Sequence, residues 1–292
     1  MVRYHVTEQE LRGEIERHKP GWLSRAEARI EQLRQGTGDG KFPPLWSEIK
    51  EVYIERQHTK CAFCEKRLEG LPYGKVEQDV EHFRPKAAIK PWQCPEELKG
   101  EGVKLGSNTT STTGYSLLAY HPLNYVMACK TCNSALKRNF FPIAGKRTTS
   151  ADHPSKAKPE KPYLIYPLGD LDSDPGKIIK FYGLSPQPVA QTGFNRHRAL
   201  VTIEFFKLDK GEKRKTLVRG RAEQLERIVY TLRLRKDPQY RADCEKVIKR
   251  MQSDGNEHAN CVRSFARLYK QSPQEAEKLF QSVADFLDTI SR

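Results

Sequence analysis

The first part of the chain places apolar residues at helical spacing. The Thr7–Glu10 segment has the Thr-x-x-Glu form of a capping box and precedes apolar positions spaced as on one helix face, which predicts a short amphipathic helix. A second helix is expected after Gly21 and should end at the glycine-rich run 36–40. The same spacing returns after two prolines and continues to residue 58. Residues 1–58 are therefore predicted to form a helical N-terminal module.

The middle of the chain, residues 59–143, has short apolar runs separated by turn-forming residues. Strands are predicted near 76–83 and over 125–128, and a helix is predicted to start near Asn133. Between the two strands, residues 87–114 are rich in Gly, Ser, Thr and Lys, which indicates an insertion loop outside the core. The expected unit is a small core of two strands and one helix.

The last part of the chain begins with a Lys- and Pro-rich segment, residues 144–162, which is predicted to be a linker. Two short strands are expected next, at 163–166 and 178–182, separated by a turn-rich segment. Further helices are predicted at 217–234, 244–251, 259–269 and 276–290. Residues 163–292 are thus expected to be a mainly helical region that binds substrate, a partner, or both.

The charge balance adds a class of partner. The chain carries 51 Lys and Arg residues against 37 Asp and Glu residues, a formal net charge of +14, which favours a polyanionic partner such as nucleic acid. No stretch approaches the roughly 18 consecutive apolar residues of a membrane span, and the N-terminal segment lacks the apolar core of a signal peptide. A cytoplasmic protein without a membrane association is the expectation.

Two Cys-x-x-Cys pairs enclose most of the middle region, Cys61 with Cys64 and Cys129 with Cys132. Each pair can offer two thiolates to one tetrahedral ion, and this spacing is typical of zinc knuckles. Because four thiolates fill the coordination sphere, the predicted Zn²⁺ site is structural and leaves no open position for catalysis.

Alternatives to this site remain open from the sequence. Cys-x-x-Cys is also the arrangement of redox-active dithiols, although two copies without a surrounding βαβ pattern argue against that role. His58 could replace one cysteine as a ligand, but a fourth thiolate is present and His58 is expected at the surface. The remaining cysteines are expected to be buried or inactive thiols, and they are Cys94, Cys244 and Cys261.

The segment between the cysteine pairs carries a carboxylate beside a histidine, Glu81 and His82. Hydrolysis of a phosphodiester needs a base that takes a proton from water and a cation that stabilises the developing negative charge. His82 suits the first role, and Glu81 suits the binding of Mg²⁺ or Mn²⁺. Two amides accompany them, since Asn124 lies shortly before the second cysteine pair and Asn133 directly follows it.

This arrangement resembles the HNH endonuclease family, whose pattern is an acid–His pair, an Asn shortly before the second Cys-x-x-Cys, and a His or Asn just after it. The resemblance implies that His82 is the general base and that Glu81 and Asn133 bind the catalytic Mg²⁺ or Mn²⁺. It also implies that Asn124 braces the loop and orients the base. Asn133 stands where the family name expects His, so an amide oxygen would replace an imidazole nitrogen, which suits Mg²⁺.

Two neighbouring residues compete for these roles. Asp79 alternates in strand register with Glu81 and could supply the carboxylate ligand instead, although Glu81 adjoins the base. His121 precedes Asn124 by three positions, but its place before a proline favours a structural or surface role.

A narrower resemblance extends over residues 45–235. It rests on the segments 81–86, 114–120, 132–142 and 163–182. These look like the HNH nucleases encoded beside an ATPase in bacterial Septu-type anti-phage systems and related retron systems. The resemblance implies a defence nuclease controlled by an ATPase partner. Together with apolar C-terminal helices that exceed the needs of a small nuclease core, it motivates the hypothesis that these helices dock on the ATPase. The implied fold is α+β, with a small ββα-metal HNH core and a structural zinc knuckle embedded in mainly α-helical terminal regions.

Basic residues around the predicted site are expected to bind substrate phosphates. They are Arg84, Lys86, Lys130, Lys137 and Arg138. The expected substrate is nucleic acid, DNA in preference to RNA. The rival hypothesis is a non-catalytic, zinc-stabilised module that binds nucleic acid or a protein. Such a module would use the cysteines and the basic residues but would not require the acid–His pair or the two asparagines.

Overall fold

Helices precede and follow two small antiparallel strand pairs along the chain. The computed structural model describes residues 1–37, 40–107 and 109–290. One continuous cluster of buried hydrophobic side chains includes residues of the N-terminal, middle and C-terminal parts of the sequence. The fold is mixed α+β, and the three parts predicted from the sequence share this core.

The N-terminal helices follow the predicted pattern. Helix α1 (Glu8–His18) opens with the expected capping box, because the Thr7 hydroxyl accepts a hydrogen bond from Glu10 N and the Glu10 carboxylate accepts one from Thr7 N. Helix α2 (Trp22–Gln35) ends at Gly36, whose φ of 69° is the left-handed conformation that favours glycine at a helix end. Both predicted helices are confirmed.

The next segment joins this module to the middle of the chain. A 3₁₀ turn over Leu45–Ile49 leads into helix α3 (Lys50–Arg56), which buries one face that includes Tyr53. The Tyr53 hydroxyl donates to Pro122 O at 2.8 Å, and its ring meets that of Tyr125 edge-on. The module therefore packs directly against the predicted middle region.

The middle region contains the predicted strands. A single helical turn, α4 (Gly74–Glu77), leads into strand β1 (Gln78–His82), which pairs antiparallel with strand β2 (Tyr125–Cys129). Every residue of β2 is buried, which explains its continuous apolar sequence. A π-helix over Thr131–Lys137 follows directly, so the predicted helix begins slightly before Asn133.

The predicted insertion loop is partly a component of the core. Residues 87–114 contain a short helix, α5 (Glu96–Gly100), and the buried side chains of Leu98 and Val103. These two side chains form a second small cluster with Tyr163 and Val201. The expectation of a loop outside the core was wrong for this part, because two isolated apolar residues among polar ones leave no periodic signal.

The predicted linker is also packed against the core. Residues 144–162 include a 3₁₀ helix over Pro154–Glu160, and Glu160 is fully buried. The Glu160 carboxylate accepts hydrogen bonds from the Tyr115 hydroxyl at 2.8 Å and from Thr148 N at 2.5 Å. The Lys- and Pro-rich composition predicted a linker because it does not reveal buried positions such as Glu160.

The second strand pair differs from the prediction. Strand β3 (Ile179–Tyr182) pairs antiparallel with strand β4 (Ser185–Pro188), whereas residues 163–166 lie buried outside any strand. Helix α6 (Gly193–Phe205) was not predicted. Its buried side chains lie at consecutive as well as helically spaced positions, so the amphipathic pattern is weak.

The C-terminal part is helical as predicted. Helix α10 (Pro273–Ile290) packs against α7 (Lys215–Leu234) and α9 (Ala259–Gln271), and α9 packs against β3. Two polar contacts attach α9 to that strand, since Ser264 Oγ accepts from Phe181 N and Asn260 Nδ2 donates to Ile179 O. None of the described helices has the length and apolar character needed to cross a membrane. Helix α8 (Arg241–Met251) lies between α7 and α9 in the sequence.

Candidate functional site

The two cysteine pairs form one cluster. All four side chains are buried, and their sulfur atoms lie within 4.8 Å of one another. Cys64 Sγ lies 3.9 Å from Cys129 Sγ. Zinc–sulfur bonds of about 2.3 Å in a tetrahedron place sulfur atoms about 3.8 Å apart, so this separation fits a tetrathiolate site. The cluster is compatible with the predicted structural zinc.

The elements explain why the cysteines meet. Cys61 and Cys64 lie in the turn after α3, Cys129 ends β2, and Cys132 lies in the first turn of the π-helix. A bound ion would therefore connect the N-terminal module, the strand pair and the helix that follows it. His58 is exposed as expected, and Cys94, Cys244 and Cys261 lie outside the four-cysteine group found among the described residues.

The thiols of the cluster need a positive charge nearby. Hydrogen bonds from Cys132, Cys61 and Cys64 hold the pKa of Cys129 far below its usual range, whereas burial raises the pKa of Cys61. Four ionised thiols cannot share a buried site without a cation. One guanidinium is already present, since Arg214 Nη2 lies 3.6 Å from Cys132 Sγ.

Strand β1 aligns two carboxylates. Asp79 and Glu81 are two positions apart, so they share one face of the strand. Asp79 Oδ2 accepts a hydrogen bond from Asn133 Nδ2 at 2.9 Å, and Asp79 Oδ1 lies 2.5 Å from Lys130 Nζ. Asn133 is thus paired with Asp79, the alternative ligand considered from the sequence, and not with Glu81.

Glu81 instead pairs with a buried lysine. Lys137 Nζ lies 2.5 Å from Glu81 Oε1 and donates a hydrogen bond to the backbone oxygen of His82 at 3.0 Å. Lys137 is fully buried and Glu81 is 8% exposed. Burial raises the pKa of Glu81, and the attraction of Lys137 opposes this rise. The ammonium of Lys137 therefore occupies the position of a cation beside the candidate ligand.

His82 is held as a neutral ring. Its Nε2 lies 3.0 Å from Ala119 O, and because a carbonyl oxygen only accepts, Nε2 must carry the proton. Trp46 and Tyr125 contact the ring edge-on, at centroid distances of 4.6 and 5.0 Å. Burial, together with the charge of Lys86, lowers the pKa of His82 well below its usual value. The Nδ1 lone pair can therefore accept a proton at neutral pH.

Asn124 braces the loop that follows β1. Its Oδ1 accepts from Arg84 N at 2.9 Å, and its Nδ2 donates to Arg84 O and to Leu118 O, both at 3.0 Å. Its backbone oxygen accepts from Phe83 N at 2.8 Å. This fully buried amide lies one residue before the strand that pairs with β1.

Two of the five basic residues expected at the substrate lie in the interior. Arg84 is buried, with its guanidinium 5.3 Å from the Phe141 ring centroid and 3.5 Å from Glu160. Lys137 is buried against Glu81. The placement of both residues contradicts the expectation of phosphate contacts, because a protein-paired cation without solvent exposure does not face a polyanion.

The other three basic residues lie closer to solvent. Lys130 and Arg138 are exposed, and Lys86 is partly exposed with its Nζ 4.5 Å from the Trp46 ring centroid. The sequence did not identify Trp46 as part of the site, since it occurs in a helical segment without a motif. His121 is buried and accepts a hydrogen bond from Leu123 N through Nδ1, in agreement with a structural role.

Comparisons with known proteins give one partial match. The chain is 29% identical over 148 residues to Septu protein PtuB of Bacillus mycoides (strain KBAB4). The match covers 50% of this chain and 43% of that protein, so less than half of the relative's length is represented. No family model matches the chain, and no solved structure matches it.

Proposed function

We propose that this chain is a metal-dependent HNH-type endonuclease that hydrolyses phosphodiester bonds of nucleic acid, with DNA as the preferred substrate. One structural relationship carries the proposal. The β1–β2 pair and the following π-helix carry a neutral histidine, two carboxylates on one strand face and the amide of Asn133, and Asn124 braces the loop after β1. These groups are the ones that base-assisted, metal-assisted hydrolysis requires.

His82 acts as the general base in this proposal. The hydrogen bond from Nε2 to Ala119 O fixes the tautomer and aims the Nδ1 lone pair away from that carbonyl. Nδ1 takes a proton from the attacking water, and the ring becomes an imidazolium. The edge-on packing of Trp46 and Tyr125 prevents the ring from turning. Asn124 supports this geometry because its amide binds the backbone of Arg84 in the loop after β1.

The carboxylates and Asn133 would hold the catalytic ion, Mg²⁺ or Mn²⁺. When bound, the ion supplies positive charge that stabilises the phosphate and the leaving oxygen. Glu81 is the ligand that the family resemblance assigns, and Asp79 is the carboxylate that contacts Asn133. Lys137 favours the ionised form of Glu81, since its attraction opposes the rise in pKa caused by burial.

The biological setting we propose is anti-phage defence. The similarity to Septu protein PtuB over half of the chain supports a component of a Septu-type system. A partner ATPase that controls the nuclease is the further proposal, which rests on the family resemblance. Helices α7–α10 are the proposed docking region, and exposed Tyr230, Leu234 and Tyr240 lie on or between them.

A cleavage assay with matched variants tests the nuclease proposal. Plasmid, linear duplex, single strands and RNA are incubated with the protein and Mg²⁺ or Mn²⁺, alone and with the product of a neighbouring ATPase gene. We expect His82→Ala and His82→Asn to lower cleavage about a hundredfold or more, while His18→Ala, at an exposed position, cleaves normally. Zinc content and melting temperature report whether each variant is folded.

The same assay separates nuclease from binding module. Retention of metal-dependent cleavage in folded His82 variants would contradict the proposed base. Nucleic-acid binding by the wild type without cleavage under any condition would favour the non-catalytic zinc module. Failure to co-purify with the ATPase would count against the partnership without affecting the chemistry.

A further inference from the structure

A second group of metal-binding side chains lies outside the sites described above. Glu8 belongs to the first turn of α1, His121 precedes the 3₁₀ turn Pro122–Asn124, and His153 precedes the 3₁₀ helix Pro154–Glu160. One ligand atom of each residue lies within 4.8 Å of the others. Three segments that are distant in the sequence thus each contribute one candidate ligand to a common point.

The distances fit a tetrahedral ion. His153 Nε2 lies 3.0 Å from Glu8 Oε2, and His121 Nε2 lies 3.7 Å from Glu8 Oε1. Bonds of about 2.0–2.1 Å from zinc to nitrogen or oxygen place tetrahedral ligands about 3.3–3.4 Å apart, and each observed separation, to a different oxygen of Glu8, lies within about 0.4 Å of that value. The two imidazole rings are nearly perpendicular, at 84°, with centroids 4.7 Å apart.

We propose that Glu8, His121 and His153 bind a divalent transition-metal ion, with Zn²⁺ preferred. Two imidazoles and one carboxylate are a donor set that selects Zn²⁺ over Mg²⁺ or Ca²⁺. Three protein ligands leave a fourth position for water. A cavity of about 490 Å³ is lined in part by His121.

The alternative is a hydrogen-bonded cluster without an ion, and the ring tautomers distinguish the two. His121 Nδ1 accepts from Leu123 N and His153 Nδ1 accepts from Ser155 N, both at 3.1 Å, so each Nε2 carries the proton without an ion. Metal binding at Nε2 moves each of these protons to Nδ1 without net loss of a proton, and Leu123 N and Ser155 N then lose Nδ1 as their acceptor. For His153, Ser155 Oγ at 2.6 Å then accepts the Nδ1 proton.

The ion would stabilise the segment that positions the candidate base. His121 lies two residues after Ala119, whose oxygen accepts from His82, and its own oxygen accepts a hydrogen bond from Asn124 N. An ion at His121 would tie this segment to α1 and to the segment that carries His153. This consequence for catalysis rests on the proposed nuclease function, whereas the binding of the ion does not.

Titration of the metal-free full-length protein with Co²⁺ tests the proposal, because thiolate and imidazole sites differ in their absorption bands. We expect one equivalent with intense thiolate bands and a second with weak ligand-field bands, bound more tightly than any Co²⁺ at the candidate catalytic centre. Glu8→Gln, His121→Gln and His153→Gln should each weaken the second event about tenfold or more and leave the first unchanged. His18→Ala serves as the control, since it removes an exposed histidine.

A second variant keeps the site distinct from the candidate catalytic centre. Glu81→Gln should leave both Co²⁺ events unchanged. Binding of a single equivalent by the wild type, or loss of the second equivalent in Glu81→Gln but not in His153→Gln, would overturn the proposal. His153 is only partly buried, so its variant should fold, and the thiolate bands report folding directly. Cleavage activity does not enter these readouts, so the outcome is independent of the nuclease proposal.

Discussion

Asn124 and Arg84 are joined by both edges of the Asn124 amide, with Oδ1 accepting from Arg84 N at 2.9 Å and Nδ2 donating to Arg84 O at 3.0 Å. The two residues are far apart in sequence, and this pairing fixes the chain as it leaves β1. This buried side chain therefore helps to hold the loop after the candidate base. The position of His82 is coupled to it, since Phe83 N also donates to Asn124 O.

Removal of this amide should weaken both folding and catalysis. Asn124→Ala leaves the backbone groups of Arg84 buried without partners, and we expect a loss of about 2–3 kcal/mol in the free energy of unfolding. Urea denaturation measures this loss. Asn133→Ala is the matched control, because Asn133 is only partly buried and should cost less than about 1 kcal/mol. Equal losses in the two variants would contradict the bracing role.

Removal of the lysine from the buried Glu81–Lys137 pair should destabilise the fold. Lys137→Met leaves the Glu81 carboxylate buried without its cation, which typically costs about 3–5 kcal/mol. The double variant Glu81→Gln, Lys137→Met removes the charge and should recover most of this loss. Melting temperatures of the single and double variants test this recovery, and a double variant no more stable than Lys137→Met would contradict it.

The sign of the pH effect follows from the direction of the pKa shift. Burial raises the pKa of Glu81 above its ordinary value of 4.5, and loss of Lys137 raises it further. A carboxyl whose pKa is raised in the folded state keeps its proton to a higher pH there than in the unfolded chain. The stability that this difference contributes is lost as the pH rises through the folded pKa. The deficit of Lys137→Met against wild type should therefore be smaller near about pH 5 than near about pH 8.

Substitution of Arg214 should weaken the retention of zinc by the cysteine cluster. Its guanidinium lies 3.6 Å from Cys132 Sγ, and it also donates to Phe206 O at 2.7 Å. A tetrathiolate zinc site carries excess negative charge, which this guanidinium offsets. We expect Arg214→Gln to lose zinc to a chelator about tenfold faster, whereas Arg219→Gln, at an exposed position in helix α7, which begins directly after Arg214, should match the wild type. Equal release rates would contradict the charge role.

The elements that the sequence could predict are those set by local spacing. The capping box at Thr7 marks the start of α1, and the glycine at residue 36 marks the end of α2. The cysteine cluster was predictable for a similar reason. Each Cys-x-x-Cys turn presents two thiols by itself, so only one further condition, a common ion, had to be assumed.

The parts that could not be predicted depend on burial and on distant contacts. A formal charge of +1 does not reveal that Arg84 lies among aromatic rings beside Glu160, or that Lys137 faces Glu81. The packing of the π-helix against β1 decides that Asn133 meets Asp79, and strand periodicity alone leaves both carboxylates on the same face.

A comparison of Asp79 with Glu81 as ligand of the catalytic ion is the sharpest test of the candidate site. Asp79 already contacts Asn133, and Glu81 adjoins His82, so each has one argument for binding the catalytic ion. We expect Glu81→Gln to abolish Mn²⁺-dependent cleavage and to weaken Mn²⁺ binding about tenfold or more, with a smaller effect of Asp79→Asn, because Asp79 is also neutralised by Lys130. Calorimetric Mn²⁺ titration of the two variants measures this order. The reverse order would assign the ion to Asp79 and Asn133 and leave Glu81 as the partner of Lys137.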